Sequence, residues 1–470
     1  MDIFTPAELK KLEEFTTSNS NIFCIKNMDP EVLSVLFAYI SRSKNSIKRN
    51  ILDFMEESQK LKTKKKTQKF HEKWVLKYGH SSVAEHSDIK IAIEKCSIVA
   101  SKVIEDARLG SYTEKSTRYC NFSYTGFYVD EILEKSIVYD IYTNINNKLL
   151  DFYGKLIEKL SDVAEKRKVF DIARCVLPAS MMTSIGISFN ARVAEQAIVK
   201  LTSHYLPEIK RIGKDIKKQS KYICPTLIKY ASQSSYRRLY QHRMQTYAEK
   251  HLKPPPRAPM GIEYPEVKSV MYLSGWPFMA TSALYQDSHM DFDSLFHTCM
   301  NMKMEEEENK ENLIKLMLDG RGEKEPPPRW LEMINILSEF IVDFGAYRDI
   351  QRHRICTQFP QKINTDLGYI CPVEIYQVGM DMEYIELMND ARKAFHEIKA
   401  YLPGYEEYVV PMSFRRRVLF LWNLREVFHF IELRSRKTGH ESYRKLAQGL
   451  WDKLSVQLPE IMNFCRVVLD

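Results

Sequence analysis

Two hydrophobic periods run along this chain. Ile89, Ile91 and Ile93 recur at every second residue, which predicts a half-buried strand. Helical spacing dominates elsewhere. Leu421, Leu424, Phe428 and Ile431 are expected to form one buried helical stripe, with Arg425 and His429 together on a neighbouring face. Thr5-Pro6-Ala7-Glu8 reads as a helix start: Thr5 caps, Pro6 suits the first helical position, and Glu8 completes a capping box. A further helical stretch is predicted to end in Arg348-Asp349-Ile350-Gln351-Arg352-His353-Arg354. Strand signals are fewer than helical ones, so pattern alone points to a mostly helical chain. The strongest breaks are Pro254-Pro255-Pro256 and Pro326-Pro327-Pro328. The first lies in a polar stretch from Lys210 to Pro259, where a domain junction is expected. The second is expected to precede a strand or helix.

The pattern repeats. Leu177-Pro178 is followed by Asn190-Ala191-Arg192, and Val410-Pro411 by Asn423-Leu424-Arg425. The two prolines, the two asparagines and the two arginines each stand 233 residues apart. Pro-Glu-Ile follows in both halves, at 207–209 and 459–461. A common offset in a common order predicts a duplicated domain. The expected copies are residues 1–225 and 226–470.

Composition agrees with two domains. The chain has 470 residues, 44% hydrophobic and 28% charged, which argues against a largely disordered protein. A single core rarely grows beyond roughly 250–300 residues. The net charge of +8 suits an anionic small ligand as well as nucleic acid. The densest basic run, Lys60 to Lys69, reads as a solvated face rather than a nucleic-acid patch. Glu305 to Glu308 reads as exposed surface. Nine scattered cysteines without a C-x-x-C pair argue against a disulfide framework or a zinc knuckle and fit a reducing cytosol. The start, Met1-Asp2-Ile3-Phe4, does not read as a signal peptide, and no apolar run approaches the ~20 residues of a bilayer span. A cytoplasmic protein with no membrane partner and no metal site is expected.

The candidate chemistry lies beside the repeats. The first half carries Gly79-His80-Ser81-Ser82-Val83-Ala84-Glu85-His86, then Arg108 followed by Glu114, Ser116, Arg118 and Tyr119, then Arg174 ahead of Leu177-Pro178. The second half carries Arg352-His353-Arg354, then Arg434 in the helix after Asn423. In this order the segments resemble the flavin-dependent thymidylate synthase (ThyX) family. That family has a Gly-His-x-[Ser/Thr]-x-x-Glu-His segment, an Arg-His-Arg motif, and an Asn-x-Arg helix preceded by Leu-Pro. The resemblance covers most of both halves. It implies an α+β fold: two tandem ThyX-like copies, each a twisted antiparallel sheet flanked by long helices.

The departures from the family pattern are complementary. The first half has Asp106-Ala107 where Arg-His belongs, and Leu201 where the second half has Arg434. The second half has Lys362 at the family's serine position and Glu407 where the first half has Arg174, and it lacks the Gly-His segment near Glu323 to Arg329. Such losses favour sites assembled from unlike halves.

The resemblance implies synthesis of dTMP from dUMP, with FAD as cofactor, methylenetetrahydrofolate as one-carbon donor and NADPH as reductant. By carry-over, Arg118, Arg174, Arg352 and Arg434 would share the phosphate and uracil carbonyls of dUMP, with Arg174, Arg352 and Arg434 as the catalytic set, while Ser116 would donate to the phosphate and Glu114 would hold the ribose or the arginine orientation. Forked guanidiniums match phosphate and carbonyl oxygens. His80, Ser82, Glu85, Asn190, Arg192, His353, Arg354, Asn423 and Arg425 would hold the flavin. A homodimer would make a pseudo-tetramer. Cys356 is read as a small buried hydrophobe rather than a nucleophile. The alternative is a non-catalytic relative that keeps the fold for binding or assembly.

Overall fold

The computed structural model describes residues 4–40, 43–60, 81–162, 164–229, 231–252, 261–272, 275–301, 307–322 and 325–469. The chain divides into two compact units. Unit 1 comprises Met1–Lys115 and Met182–Pro254, and unit 2 comprises Ser116–Met181 and Pro255–Asp470. These units differ from the sequence copies, because part of the first copy packs into unit 2.

Each copy repeats one order of elements. In the first, β1 (Asp88–Ser97) leads into α1 (Ile98–Ile104) and β2 (Ser111–Glu114). A long helix α2 (Tyr139–Ser161) follows, then β3 (Met182–Asn190), α3 (Ala191–Thr202) and α4 (Pro207–Ile223). The second copy is preceded by an additional strand, β4 (Glu266–Tyr272). It then runs β5 (Asn335–Asp343), α5 (Phe344–Ile350), β6 (Cys356–Pro360), α6 (Asp381–Tyr401), β7 (Arg415–Asn423), α7 (Leu424–Arg434) and α8 (Glu441–Gln457). The tandem α+β duplication expected from the sequence is present.

Unit 1 has a three-stranded antiparallel sheet, ordered β1-β3-β2. The alternation at Ile89, Ile91 and Ile93 is the pleat of β1. Its N-terminal helices, Pro6–Phe15, Pro30–Ile40 and Ile47–Lys60, share a core of Leu12, Phe15, Leu36, Ile51, Leu52 and Phe54. The capping box at Thr5 and Glu8 forms as read from the sequence.

Unit 2 has a four-stranded antiparallel sheet, ordered β4-β5-β7-β6. Phe340, Phe420, Trp422 and Phe430 pack together behind it. Helices α2 and α6 also pack in this unit, and their tyrosines repeat one contact. Tyr142 donates to the carbonyl of Tyr128 at 2.5 Å, and Tyr384 to that of Ile370 at 2.6 Å. The two Pro motifs meet here as well. Pro178 and Pro411 pair antiparallel, with Ala179 N–H to Val410 at 3.0 Å and Met412 N–H to Leu177 at 3.0 Å.

Four strand-to-helix joints position the chemistry, each closed by a polar cap that satisfies an otherwise orphaned helix N–H. The caps are Ser97, Asn190, Asp343 and Asn423. Consequently Arg192 and Arg425 stand in first helical turns, and Arg348 and Asp349 stand in the last turn of α5.

Three sequence expectations change. Leu421 lies in β7 and is 37% exposed, so the buried stripe of α7 is Leu424, Val427, Phe428 and Ile431. Strand β5 precedes the short α5, where a helical stretch was expected before Arg352. The Pro-Glu-Ile triplets are not equivalent: Pro207 opens α4, whereas Pro459 opens a short helix after α8, the true counterpart of α4. The runs 61–69 and 254–256 lie outside the described residues, as do the side chains of Lys60 and of the acidic run 305–308. Among the described residues, no helix is long and apolar enough to cross a membrane.

Candidate functional site

Arginines of both copies gather in unit 2. Arg118 forks onto Asp171, with Nε to Oδ1 at 2.8 Å and Nη2 to Oδ2 at 2.7 Å. Arg174 is 3% exposed and reaches the same Oδ1 at 3.2 Å through Nε. Its Nη2 lies 3.5 Å from Oδ2 of Asp349. Arg434 donates from Nη2 to the backbone carbonyl of Asp349 at 2.8 Å. Arg348 donates to Oγ1 of Thr117 at 3.1 Å. Tyr443 places its ring under Arg434, 5.2 Å from centroid to guanidinium carbon, and its hydroxyl accepts from Arg118 at 3.3 Å. Arg352 is exposed and has no side-chain hydrogen bond or ion pair among the described residues.

The electrostatics keep both aspartates ionised. Burial pushes the Asp349 carboxyl up, but Arg174, Arg434, Arg118 and Arg348 outweigh it and hold it below the ordinary range. Burial likewise raises Asp171, and Arg174, His440 and Arg118 more than offset that. Four guanidiniums act on Asp349, and two of them, Arg118 and Arg174, also hold Asp171, so positive charge is in excess around the two carboxylates. Arg434 touches neutral acceptors through its hydrogen bonds, and burial lowers its pKa. Such a cluster favours an anionic or carbonyl-rich ligand.

His353 links this cluster to α7. Its Nε2 accepts from Nε of Arg434 at 2.9 Å, and its Nδ1 faces Oε1 of Glu426 at 2.9 Å. Burial lowers the imidazole pKa, the Glu426 contact opposes this, and Arg434 adds to the lowering. The ring is therefore neutral at neutral pH.

The other expected residues fall in two places. Glu114 belongs to unit 1, where it pairs with Lys102 at 2.9 Å and accepts from Ser101 at 2.8 Å. Ser116 belongs to unit 2 and accepts from the Arg118 N–H at 3.2 Å. Glu85 and Arg192 pair on the surface of unit 1 at 2.5 Å. Asn190 and Asn423 cap α3 and α7 through Oδ1, at 2.9 and 2.8 Å. Arg425 bonds Glu332 at 2.6 Å and the carbonyl of Pro327 at 2.8 Å. Arg354 is half-buried beside His353. Cys356 is buried, with its Sγ 3.0 Å from the His353 carbonyl. His80 and the side chain of Ser82 lie outside the described residues.

Sequence reasoning missed Asp171, Asp349, Arg348, Glu426, Tyr443 and Glu332. Glu332 was recoverable. The start of β1 and the start of β5 are 247 residues apart, and so are Glu85 and Glu332. The Glu–Arg pair is thus made twice, in a segment where the second copy has lost its Gly-His sequence. Asp171 and Asp349 carry no comparable signal, since only packing reveals that they face arginines distant in sequence.

The duplicated order of antiparallel strands and helices, with four strand-to-helix joints each closed by a polar cap, defines a tandem α+β protein. The family model described as thymidylate synthase complementing protein matches residues 24–226 and again 279–460. The chain therefore belongs to the thymidylate synthase complementing protein (Thy1, or ThyX) family. A UPF0159 protein of Chlamydia pneumoniae is 30% identical over 95% of this chain and 92% of its own length. A UPF0159 protein of Thermoplasma acidophilum is 26% identical, over 86% and 89% respectively. A flavin-dependent thymidylate synthase of Thermococcus onnurineus is 30% identical over 25% of this chain and 47% of its own length.

Proposed function

We propose that this chain is a flavin-dependent thymidylate synthase of tandem type, making dTMP from dUMP with methylenetetrahydrofolate and NADPH. The observation that carries the reading is the meeting of Arg118 and Arg174, from the first copy, with Arg434, from the second, around Asp171, Asp349 and Tyr443, with the charge of Arg352 close enough to act on Arg434. Arg118 and Arg174 suit the phosphate, and Arg434 and Arg352 suit the uracil carbonyls. Ser116 and Glu114 would serve phosphate and ribose. Preorganised donors aimed at a carbonyl stabilise charge that develops on the ring during reaction. A cytoplasmic homodimer, forming a pseudo-tetramer, belongs to the same reading.

The residues fit a flavin dinucleotide. Arg192 and Arg425 each stand in the first turn of a capped helix, where N–H groups and a guanidinium together favour a pyrophosphate. A pyrophosphate at either helix would take the guanidinium contact from the paired glutamate, Glu85 at Arg192 or Glu332 at Arg425. His80, Ser82, Asn190, Asn423, His353 and Arg354 would complete the cofactor's surroundings. When bound, FAD would supply the hydride chemistry, and the protein's part is binding, orientation and polarisation.

One site per chain belongs to this proposal. The first copy has Val103, Asp106, Ala107 and Leu201 at the places of Asp349, Arg352, His353 and Arg434. The second has Pro360, Lys362, Asn364 and Glu407 at the places of Glu114, Ser116, Arg118 and Arg174. The converse pairing of the copies thus has none of the ligand set left.

Purified protein should be yellow and should release the C5 hydrogen of dUMP when given methylenetetrahydrofolate and NADPH. Colourless protein that binds neither flavin nor dUMP would sink the reading. One observation favours a second reading, a non-catalytic binding or assembly protein. Asp171 and Asp349 already occupy Arg118 and Arg174, as an anion would. Tight dUMP binding without hydrogen release would select it.

A further inference from the structure

We propose that Glu426 is a positioning residue for the arginine site: through His353 it fixes the orientation of the Arg434 guanidinium. The importance of Arg434 to a ligand rests on the reading above; the relay itself rests on geometry.

A guanidinium nitrogen can only donate. Because Nε of Arg434 points at Nε2 of His353 at 2.9 Å, Nε2 must present its lone pair. A neutral imidazole has one N–H, which therefore sits on Nδ1. There it meets Oε1 of Glu426 at 2.9 Å, an oxygen that accepts. His353 is 4% exposed, so a proton on both nitrogens would bury a charge against Arg434. Glu426 and Arg434 thus require the same tautomer: Glu426 accepts the Nδ1 proton, and this contact holds the ring where its Nε2 lone pair meets the Arg434 guanidinium. The carbonyl of Asp349 and the face of Tyr443 hold the other sides of that guanidinium. The α7 cap fixes Glu426 itself, since its N–H donates to Asn423 at 2.8 Å.

The duplication provides an internal control. At the places of Glu426, His353 and Arg434 the first copy has Val193, Ala107 and Leu201. Leu201 is 1% exposed and packs as core. The copy that lost the arginine also lacks both supports, as expected of groups that act together. A glutamate needed only for helix α7 would have no reason to depart with them, because Asn190 still caps α3.

The test uses the full chain. Nitrogen-15 shifts of the His353 ring, assigned by their loss in His353→Gln, report which nitrogen is protonated. Calorimetric titration with dUMP reports the site. Wild type should carry the proton on Nδ1. So should Glu426→Gln, whose amide oxygen still accepts, with dUMP affinity within about threefold of wild type. Glu426→Ala should shift the proton to Nε2 and lose roughly tenfold or more in affinity. Wild type protonated on Nε2 overturns the proposal without any variant. So does a Glu426→Ala protein that keeps the wild-type tautomer, or an equal loss in the Gln and Ala variants. A wild type that binds no dUMP, yet changes tautomer in Glu426→Ala, sinks the nucleotide reading and supports the relay.

Discussion

Arg118 and Asp171 lie 53 residues apart and meet in a two-pronged ion pair, at 2.8 and 2.7 Å. Both side chains are about 15% exposed, and Asp171 also holds Arg174. Removing one partner of a mostly buried pair leaves the other charge uncompensated, and partial exposure softens the cost. Asp171→Asn should therefore cost about 2 kcal/mol of stability. A thermal midpoint equal to wild type would show that the fork is not a structural tie.

Acid should weaken unit 2 in two stages. His353 and His440 are both held below the ordinary imidazole pKa by burial, against which Glu426 and Asp171 act only partly. Unfolding lets them take up protons, so their contribution is complete above about pH 6.5 and fades as pH falls below it. Asp171 and Asp349 are also held low, so their contribution is complete above about pH 4 and is lost below it. A melting series from neutral to acid pH should show both declines. The upper one should shrink in His353→Gln, and an unchanged upper decline would refute the assignment to His353.

Ligand stoichiometry tests the asymmetry of the copies. One dUMP per chain is expected, and Arg434→Ala should remove binding altogether. Lys362→Ala, at the erased counterpart of Ser116, should leave affinity unchanged. Two dUMP per chain, or half the capacity remaining in Arg434→Ala, would contradict a single site.

Flavin retention should separate from stability at Arg192. Its pair with Glu85 is nearly half exposed on both sides, and such pairs contribute at most about 1 kcal/mol. Arg192→Ala should thus lower the flavin bound per chain while leaving the melting temperature of the flavin-free protein nearly unchanged. Full flavin content in both Arg192→Ala and Arg425→Ala would remove these arginines from the cofactor site.

Much was legible in the sequence because its signals are local. The Thr5 capping box, the alternation of β1, and the helix starts after Asn190 and Asn423 all depend on neighbours a few residues away. The duplication was legible through a fixed offset. The arginines Arg118, Arg174, Arg352 and Arg434 were singled out by resemblance, and their gathering in unit 2 could only be expected. Leu421 misled because its spacing fits a helix, whereas the chain turns from strand to helix at Asn423.

The opposing charges were not legible. Asp171 stands three residues before Arg174, a spacing that many surface pairs share, and nothing in the sequence joins it to Arg118. Asp349 and Glu426 lie beside recognised motifs, yet their partners come from other elements. The sequence by itself determined the two copies, their caps and the inventory of arginines. Tertiary structure alone decided which carboxylates hold those arginines and which nitrogen of His353 is bare. Ion pairing and tautomer choice depend on distances of a few ångströms between residues far apart in the chain, and only packing sets those distances.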